Sequence, residues 1–121
     1  QKFSVVYEVD APGVSPVSKV FTNIPISLYS RFFIEIMRVR FIGICNYDDA
    51  TVATYGLKTG AEATGAKASY ISGLYDFGTG KLMGCIGIDF MEPKHIDEDK
   101  SDYFRVKSER LAGYLSNYNK F

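Results

Sequence analysis

The sequence predicts an α+β domain in which helices pack on an antiparallel β-sheet. Two patterns carry this prediction: apolar and polar residues alternate in several short segments, and apolar residues recur every three or four positions in two longer ones. Turn residues join neighbouring strands into hairpins, so the sheet is expected to be antiparallel. With 121 residues the chain has the size of one domain, and we expect a single domain over residues 1–121.

In the first half of the chain, the patterns predict a strand, a helix and a hairpin. Apolar and polar residues alternate over Phe3–Val9, which is typical of a half-buried strand. The apolar residues of Ile24–Met37 fall on one face of a helix, although their β-branched and aromatic side chains would also suit a strand. A period of two returns over Val39–Tyr47, and Thr51–Tyr55 is predicted to pair with it as a hairpin.

The second half of the chain predicts a hairpin followed by a long helix. The small residues of Gly56–Ala68 offer little to a core, so this segment is expected to be a mobile loop or a short helix over the sheet. Tyr70–Phe77 and Lys81–Met91 form the clearest hairpin, joined by a Gly-Thr-Gly turn. The helix is predicted over about Glu98–Asn117, with Asp97 as its N-cap. The stripe expected to face the sheet contains Phe104, Ser108, Leu111, Leu115 and Tyr118.

Composition argues against several classes of function. Lysine and arginine together number 14, as do aspartate and glutamate, so no cationic surplus is present for a phosphate backbone. We therefore expect no nucleic-acid partner. One histidine and two cysteines leave few side chains for nucleophilic or metal-assisted catalysis. We expect no enzymatic activity, no metal site and no cofactor.

Two local motifs suggest more specific chemistry and fail on inspection. Gly60 and Gly65 are separated by four residues, as in a phosphate-binding loop, but Ala66 intervenes where that loop needs its lysine. His95 lies close to acidic residues, which suggests a metal or acid–base cluster. Those acidic residues are better explained by the start of a helix, where the helix dipole favours negative charge.

Four side chains are candidates for a covalent link or a partner contact. Cys45 and Cys85 both fall within predicted central strands, where they are either buried free thiols or, if the strands are neighbours, a disulfide. Tyr103 and Tyr114 lie off the apolar stripe of the last helix. They are either ordinary surface tyrosines or contacts for a partner protein.

The last third of the chain resembles two known families. The hairpin from Tyr75 to Phe90, with the proline and acidic helix start that follow it, resembles the end of a GAF domain. The region resembles more sharply the soluble domain of the T-even-type bacteriophage holins, membrane proteins that time host cell lysis. Residues in the same order and spacing as in that domain are Ser72, Tyr75, Gly84, Ile86, His95, Ile96 and Asp99. A shorter match at the start of the chain comprises Phe3, Ser4, Val6 and Tyr7.

The holin resemblance implies a fold, a place and a partner. It implies a GAF-like domain on the periplasmic face of the host inner membrane, preceded in the full-length protein by one transmembrane helix that this sequence lacks. The domain would bind an antiholin protein, which inhibits lysis, and the full-length protein would self-associate in the membrane. A cysteine position of that family falls on Gly73, so a disulfide here would be placed differently.

The alternative interpretation is a GAF- or PAS-like sensor domain that binds a small molecule. Its pocket is expected between the sheet and the segment Gly56–Ala68. A sensor of this kind would share its chain with a kinase, cyclase or regulator domain, whereas a holin would carry one membrane helix upstream.

Overall fold

A computed structural model describes residues 2–5, 8–10, 12 and 23–118. In chain order, the elements of this part of the chain are β1 (Lys2–Phe3), β2 (Ile24–Pro25), a 3₁₀ helix (Ile26–Tyr29), α1 (Ser30–Val39), β3 (Phe41–Ile44), α2 (Lys58–Thr64), β4 (Ala68–Tyr75), β5 (Leu82–Phe90) and α3 (Glu98–Tyr118). Strands β3, β4 and β5 form an antiparallel sheet in that order, and β1 pairs separately with β2. The α+β class with an antiparallel sheet is therefore confirmed.

The three-stranded sheet lies between two helical layers. Ile44 pairs with Ser69, and Ser69 pairs in turn with Asp89, so these three side chains share one face of the sheet. The buried cluster on that face includes residues of α1 and α2. On the opposite face Phe41 contacts Phe104 of α3, with ring centroids 6.3 Å apart. Each face of the sheet therefore has its own helical cover.

The core on the α1 and α2 side is the larger apolar cluster. Ile36 of α1 and Ile44 of β3 are both fully buried at its centre, at 0% exposure. The other buried members of this cluster are Phe32, Ile42, Tyr47, Ala61 and Ala66. Aliphatic and aromatic side chains supply the burial near α1, and Ala61 of α2 and Ala66 just after it complete the cluster.

Helix α3 packs on β4 through small residues. Ser108, Ala112 and Ser116 recur every four positions and are its most buried side chains. Ser116 Oγ accepts a hydrogen bond from the Phe77 backbone N–H at 3.0 Å, which fixes the helix to the end of the hairpin. Leu111, predicted to lie at the centre of the packed stripe, is only half-buried. The contact is centred on the small residues because they allow the helix axis to approach the strand.

The predicted hairpin and the start of the last helix are confirmed. Asp76 closes the β4–β5 turn, since its carboxylate accepts hydrogen bonds from the backbone N–H groups of Gly78 and Thr79. Gly80 in the same turn has φ of +70°, a conformation that glycine adopts without strain. At the start of α3, Asp97 Oδ1 accepts the Lys100 N–H at 3.2 Å, as an N-cap does.

The predicted strand Thr51–Tyr55 is wrong. This segment satisfies its hydrogen bonds locally, because Asp49 Oδ1 accepts the Thr51 N–H at 2.9 Å and Asp49 O accepts the Val52 N–H at 3.0 Å. Tyr55 then turns with φ of +53°. The neighbour of β3 is instead β4, which arrives after α2. Residues that favour strands also occur in a turn that is stabilised by hydrogen bonds to an aspartate, so composition alone did not distinguish the two.

Other boundaries shift at the N-terminal side. The predicted helix Ile24–Met37 is a short strand, a 3₁₀ turn and then α1, which continues to Val39 and ends at Arg40 with φ of +65°. The following strand therefore begins at Phe41 and not at Val39. In the predicted strand Phe3–Val9, only Phe3 is in a strand among the described residues, and Val6 and Tyr7 lie outside them. Of the two alternatives for Gly56–Ala68, the short helix is present as α2.

Candidate ligand cavity between α2 and the sheet

A small cavity lies between α2 and the sheet, at the place where the sequence predicts the pocket of a sensor domain. Its volume is about 110 Å³. Part of the wall is apolar, from Leu57, Ala66 and Ile71, and part is polar, from Tyr47 and Asp89. The remaining lining residues belong to α2: Gly60, Ala61 and Thr64.

The composition of α2 creates this space. Gly60 and Ala61 are the buried residues of the helix, and neither has a side chain long enough to reach across to the sheet. The helix ends at Gly65, whose φ of +80° reverses the chain. The returning segment is then tied to the sheet edge, because the Lys67 N–H donates to Phe90 O and the Tyr47 N–H donates to Lys67 O. The small residues of α2 therefore leave space between the helix and the sheet.

Three side chains form a hydrogen-bond chain at the polar end of the cavity. The Tyr47 hydroxyl donates to Ser69 Oγ at 2.8 Å, and the Ser69 hydroxyl donates to Asp89 Oδ1 at 2.6 Å. Tyr47 is 4% exposed and Ser69 is 1% exposed. Each hydroxyl proton is therefore committed within the protein, and the chain ends on a carboxylate that lines the cavity.

The electrostatics of this chain keep Tyr47 neutral. Burial raises the pKa of the Tyr47 hydroxyl to about 12; the charge of Asp89 acts in the same direction, against the hydrogen bond to Ser69. Burial also raises the pKa of the Asp89 carboxyl, opposed by the hydrogen bond from Ser69 and aided by the charge of Glu8. The Asp89 residue as a whole is nevertheless exposed to solvent.

The polar side chains of the cavity are available as hydrogen-bond acceptors. Because the Tyr47 and Ser69 protons are committed, the side-chain lone pairs left in the lining are those of Asp89, the Tyr47 oxygen and Thr64 Oγ1, whose own proton goes to backbone carbonyls of α2. All three groups accept, whereas Leu57, Ala66 and Ile71 form the apolar part of the lining. Such a lining matches a small molecule with an amine or hydroxyl group and a short apolar part.

The cysteines lie away from this arrangement and from each other. Cys45 is half-buried, Cys85 is exposed, and both are free thiols. Cys45 follows Ile44 and lies at the end of the sheet where β5 ends with Phe90. Cys85 lies nearer the other end, where it pairs with Gly73. Five residues of strand, about 17 Å, separate Cys85 from Phe90 along β5, and a disulfide needs Cα atoms within about 7 Å.

Tyr103 and Tyr114, considered as ordinary surface tyrosines or as partner contacts, are on the surface of α3. Tyr103 is 66% exposed and Tyr114 is 75% exposed. His95, considered for a metal or acid–base cluster, is exposed, and its backbone carbonyl accepts the Tyr70 hydroxyl at 3.2 Å. Within residues 23–118 and the shorter described stretches before them, no group of histidine, cysteine, aspartate and glutamate is arranged to hold a metal ion.

The residues of the hydrogen-bond chain were not selected by the sequence analysis. Ser69 and Asp89 stand in strands rich in apolar residues, at positions that alternate with Tyr70 and Phe90. A polar residue in such a position, facing a segment of small residues, is a signal that could have identified them. Their pairing depends on the β4–β5 register, which the sequence did not specify to the residue.

Comparison with known proteins tests the fold. No protein-family model and no curated protein matches the chain. Among solved structures, the cyanobacteriochrome TePixJ GAF domain superposes with a TM-score of 0.74 at 14% identity, over 98% of this chain and 72% of that one. The phycocyanobilin-bound GAF domain from a cyanobacterial phytochrome gives a TM-score of 0.70 at 12% identity, over 91% and 64% of the two chains. The fold is GAF-like.

A third structure belongs to a signalling protein. It is a domain from Sinorhizobium meliloti 1021 described as part of a two-component sensor histidine kinase, with a TM-score of 0.55 and 18% identity. The match covers 66% of this chain and 53% of that domain, so the present chain spans about half of its length. The GAF part of the sequence resemblance is thus confirmed, whereas the holin part receives no support from these comparisons.

Proposed function

We propose that this domain is a non-catalytic sensor module that binds a small molecule between α2 and the sheet. The observation that carries the proposal is the cavity itself, with one apolar wall and a hydrogen-bond chain that ends on Asp89. The GAF domain of the cyanobacterial phytochrome described above holds phycocyanobilin. A cavity of about 110 Å³ lies below the usual range for drug-sized ligands, roughly 300–1,000 Å³, so the ligand here is much smaller than a bilin.

The ligand class follows from the acceptors. A short amine or alcohol would donate to Asp89 and place its apolar part against Leu57 and Ile71. A carboxylate of the same size would face the negative charge of Asp89 and is expected to be rejected. A hydrogen bond to a charged group contributes about 1.5–3 kcal/mol, which corresponds to roughly tenfold or more in affinity.

The test is a titration with short amines, alcohols and carboxylates, in which NMR monitors the chemical shifts of the backbone amides. Native mass spectrometry shows whether the purified protein retains a small molecule. We expect amines or alcohols to shift the amides of Ala61 and Asp89, and Asp89→Asn to weaken that binding about tenfold. Asp102→Asn is the matched control, because Asp102 is an exposed residue of α3 paired only with Arg105. The proposal is wrong if no compound shifts the cavity amides and the purified protein retains no small molecule.

The second candidate function is the soluble domain of a phage holin that binds an antiholin in the periplasm. The match from Ser72 to Asp99 favours it, and the exposed Tyr103 and Tyr114 could contribute to such a contact. In the described part of the chain no helix combines the length and apolarity that crossing a bilayer requires. In this candidate function the full-length protein would be anchored by one membrane helix and would self-associate in the membrane.

This second candidate is tested by the coding sequence and by binding. An upstream membrane helix, together with binding of the periplasmic part of an antiholin encoded by the same phage genome, would favour the holin. A kinase, cyclase or regulator domain in the same chain would contradict it and favour the sensor. In either case binding would act by shifting a population of conformations or assemblies, not by chemistry.

A further inference from the structure

The opposite face of the sheet carries a larger groove that the proposed sensor site does not use. It lies between the β4–β5 hairpin and the first half of α3, with a volume of about 260 Å³. Its floor is formed by Tyr70, Phe90 and Phe104, and its lining includes three lysines: Lys94, Lys100 and Lys107. No acidic residue contributes to this lining.

The aromatic floor is held in place by contacts between its own rings. Tyr70 meets Phe90 edge-on with centroids 5.2 Å apart, and Tyr70 lies 6.4 Å from Phe104. The Tyr70 hydroxyl is also tied to His95 O. Since these rings are fixed in the absence of a ligand, a planar ring can pack against them with little loss of side-chain freedom.

The lysines place positive charge around this floor. Lys94 Nζ lies 5.4 Å from the centroid of the Phe90 ring, and Lys107 Nζ lies 5.3 Å from that of Tyr103. Lys100 is two turns from Lys107 on the same helix, so both ammonium groups project from one side of α3. The ion pairs among the described residues are formed by Arg38, Lys67 and Arg105, and not by the three lysines of the groove.

This concentration of charge is local. The whole chain has as many acidic as basic side chains, yet the groove has cations alone. An apolar floor with cations at its edge is complementary to an amphipathic anion, because burial of the apolar part removes water from around the charged contact. The volume is close to the lower limit of small-molecule sites, roughly 300 Å³, which favours a ligand of one or two rings.

We infer that this groove binds a small aromatic carboxylate, with its ring on Tyr70, Phe90 and Phe104 and its carboxylate between the lysines. The inference is independent of the proposed sensor function, since the α2 cavity lies on the other face of the sheet. Aromatic rings favour an aryl ligand over an alkyl chain because ring edges and faces pair specifically. The carboxylate is held by ammonium groups at partly exposed positions, so binding weakens as salt increases.

The experiment uses naphthoate as the probe, with naphthamide and naphthylmethylamine as neutral and cationic analogues of the same ring. In NMR titrations at low salt, we expect naphthoate to give saturable shifts at the amides of Phe90, Lys94 and Phe104. Naphthamide should bind about tenfold more weakly and naphthylmethylamine more weakly still, because charge-assisted contacts of about 1.5 kcal/mol or more are lost or reversed.

Variants separate this site from general attraction to a positive surface. Lys100→Gln with Lys107→Gln should weaken naphthoate binding about tenfold, and both residues are exposed, so the fold should survive. Lys58→Gln on α2 is the matched control, an exposed lysine on the other side of the sheet, and should leave the affinity unchanged. Equal binding of naphthoate and naphthamide, an equal loss in the control variant, or shifts confined to the α2 cavity would each overturn the inference.

Discussion

Replacing Ile36 by alanine tests the packing of α1 on the sheet. Ile36 has 0% exposure and lies in the cluster with Phe32, Ile42 and Ile44. Its backbone carbonyl accepts hydrogen bonds from Arg40 N–H and from the Tyr75 hydroxyl, and both can persist in the variant. The substitution therefore removes apolar side-chain atoms while leaving the polar contacts of the position in place.

The expected cost follows from the atoms removed. Isoleucine has three more carbon atoms than alanine, and burial of each is worth about 0.8 kcal/mol, for a transfer contribution of roughly 2.4 kcal/mol. A cavity among the surrounding side chains adds to this, so measured losses at such positions are about 2–5 kcal/mol. Alanine returns a few tenths of a kcal/mol through its higher helix propensity. Such a loss is a large part of the roughly 5–15 kcal/mol that stabilises a typical domain.

Urea denaturation followed by circular dichroism measures the change, with Ile34→Ala as the control. Ile34 is in the same helix and is 63% exposed, so it shares the change in helix propensity without the change in buried volume. We expect Ile34→Ala to stay within about 0.5 kcal/mol of the parent. The difference between the two variants then reports burial alone, provided that the slope with urea is the same for both.

A loss below about 1 kcal/mol for Ile36→Ala would show that the side chain does not lie in a close-packed core. Equal losses for Ile36→Ala and Ile34→Ala would show that the buried face of α1 has been assigned incorrectly. Either result would also remove the support for packing this face of α1 on the sheet.

Three further predictions concern the hairpin end, the cavity and the thiols. Ser116→Ala leaves the Phe77 N–H without its acceptor and should cost about 1–3 kcal/mol in urea denaturation; an unchanged midpoint would contradict this role. The pKa of Asp89 is raised above 3.8 in the folded state, so its contribution to stability increases as pH falls from above the folded pKa towards 3.8. In a plot of melting temperature against pH, Asp89→Asn should therefore be flatter than the parent over this range. Parallel plots for the variant and the parent would refute the assignment. Titration of the unfolded, unreduced protein should find two reactive thiols, Cys45 and Cys85, and finding none would show a disulfide.

Local signals in the sequence predicted the β4–β5 hairpin and α3 well. The hairpin depends on Asp76 and Gly80 within a short turn, and the helix start depends on Asp97, so each is decided by neighbours along the chain. The segment Thr51–Tyr55 failed because its strand-like composition competed with hydrogen bonds to Asp49. The face of α3 that packs on β4 was only partly predicted. Small residues contribute little to an apolar pattern, yet they decide how closely the helix can approach the strand.

The candidate site was predicted in position but not in its residues. The sensor interpretation placed a pocket between the sheet and Gly56–Ala68, and a cavity lies there. Tyr47 and Ser69 are 22 residues apart, and Ser69 and Asp89 are 20 apart, so their contacts depend on strand register and on a turn after β3. One residue of slip in β4 would turn Ser69 away from the cavity.

The central position of β4 has a thermodynamic consequence. It is the middle strand, and its adjacent residues Ser69 and Tyr70 line opposite sides: Ser69 bonds to Asp89 at the α2 cavity, and Tyr70 forms the floor of the lysine groove. A single peptide bond thus joins two surfaces that would otherwise be separated by the thickness of the sheet. An occupant on one side that moved this peptide would change the affinity of the other side, because close-packed strands transmit strain. Linkage would then require the effect to be equal in both directions.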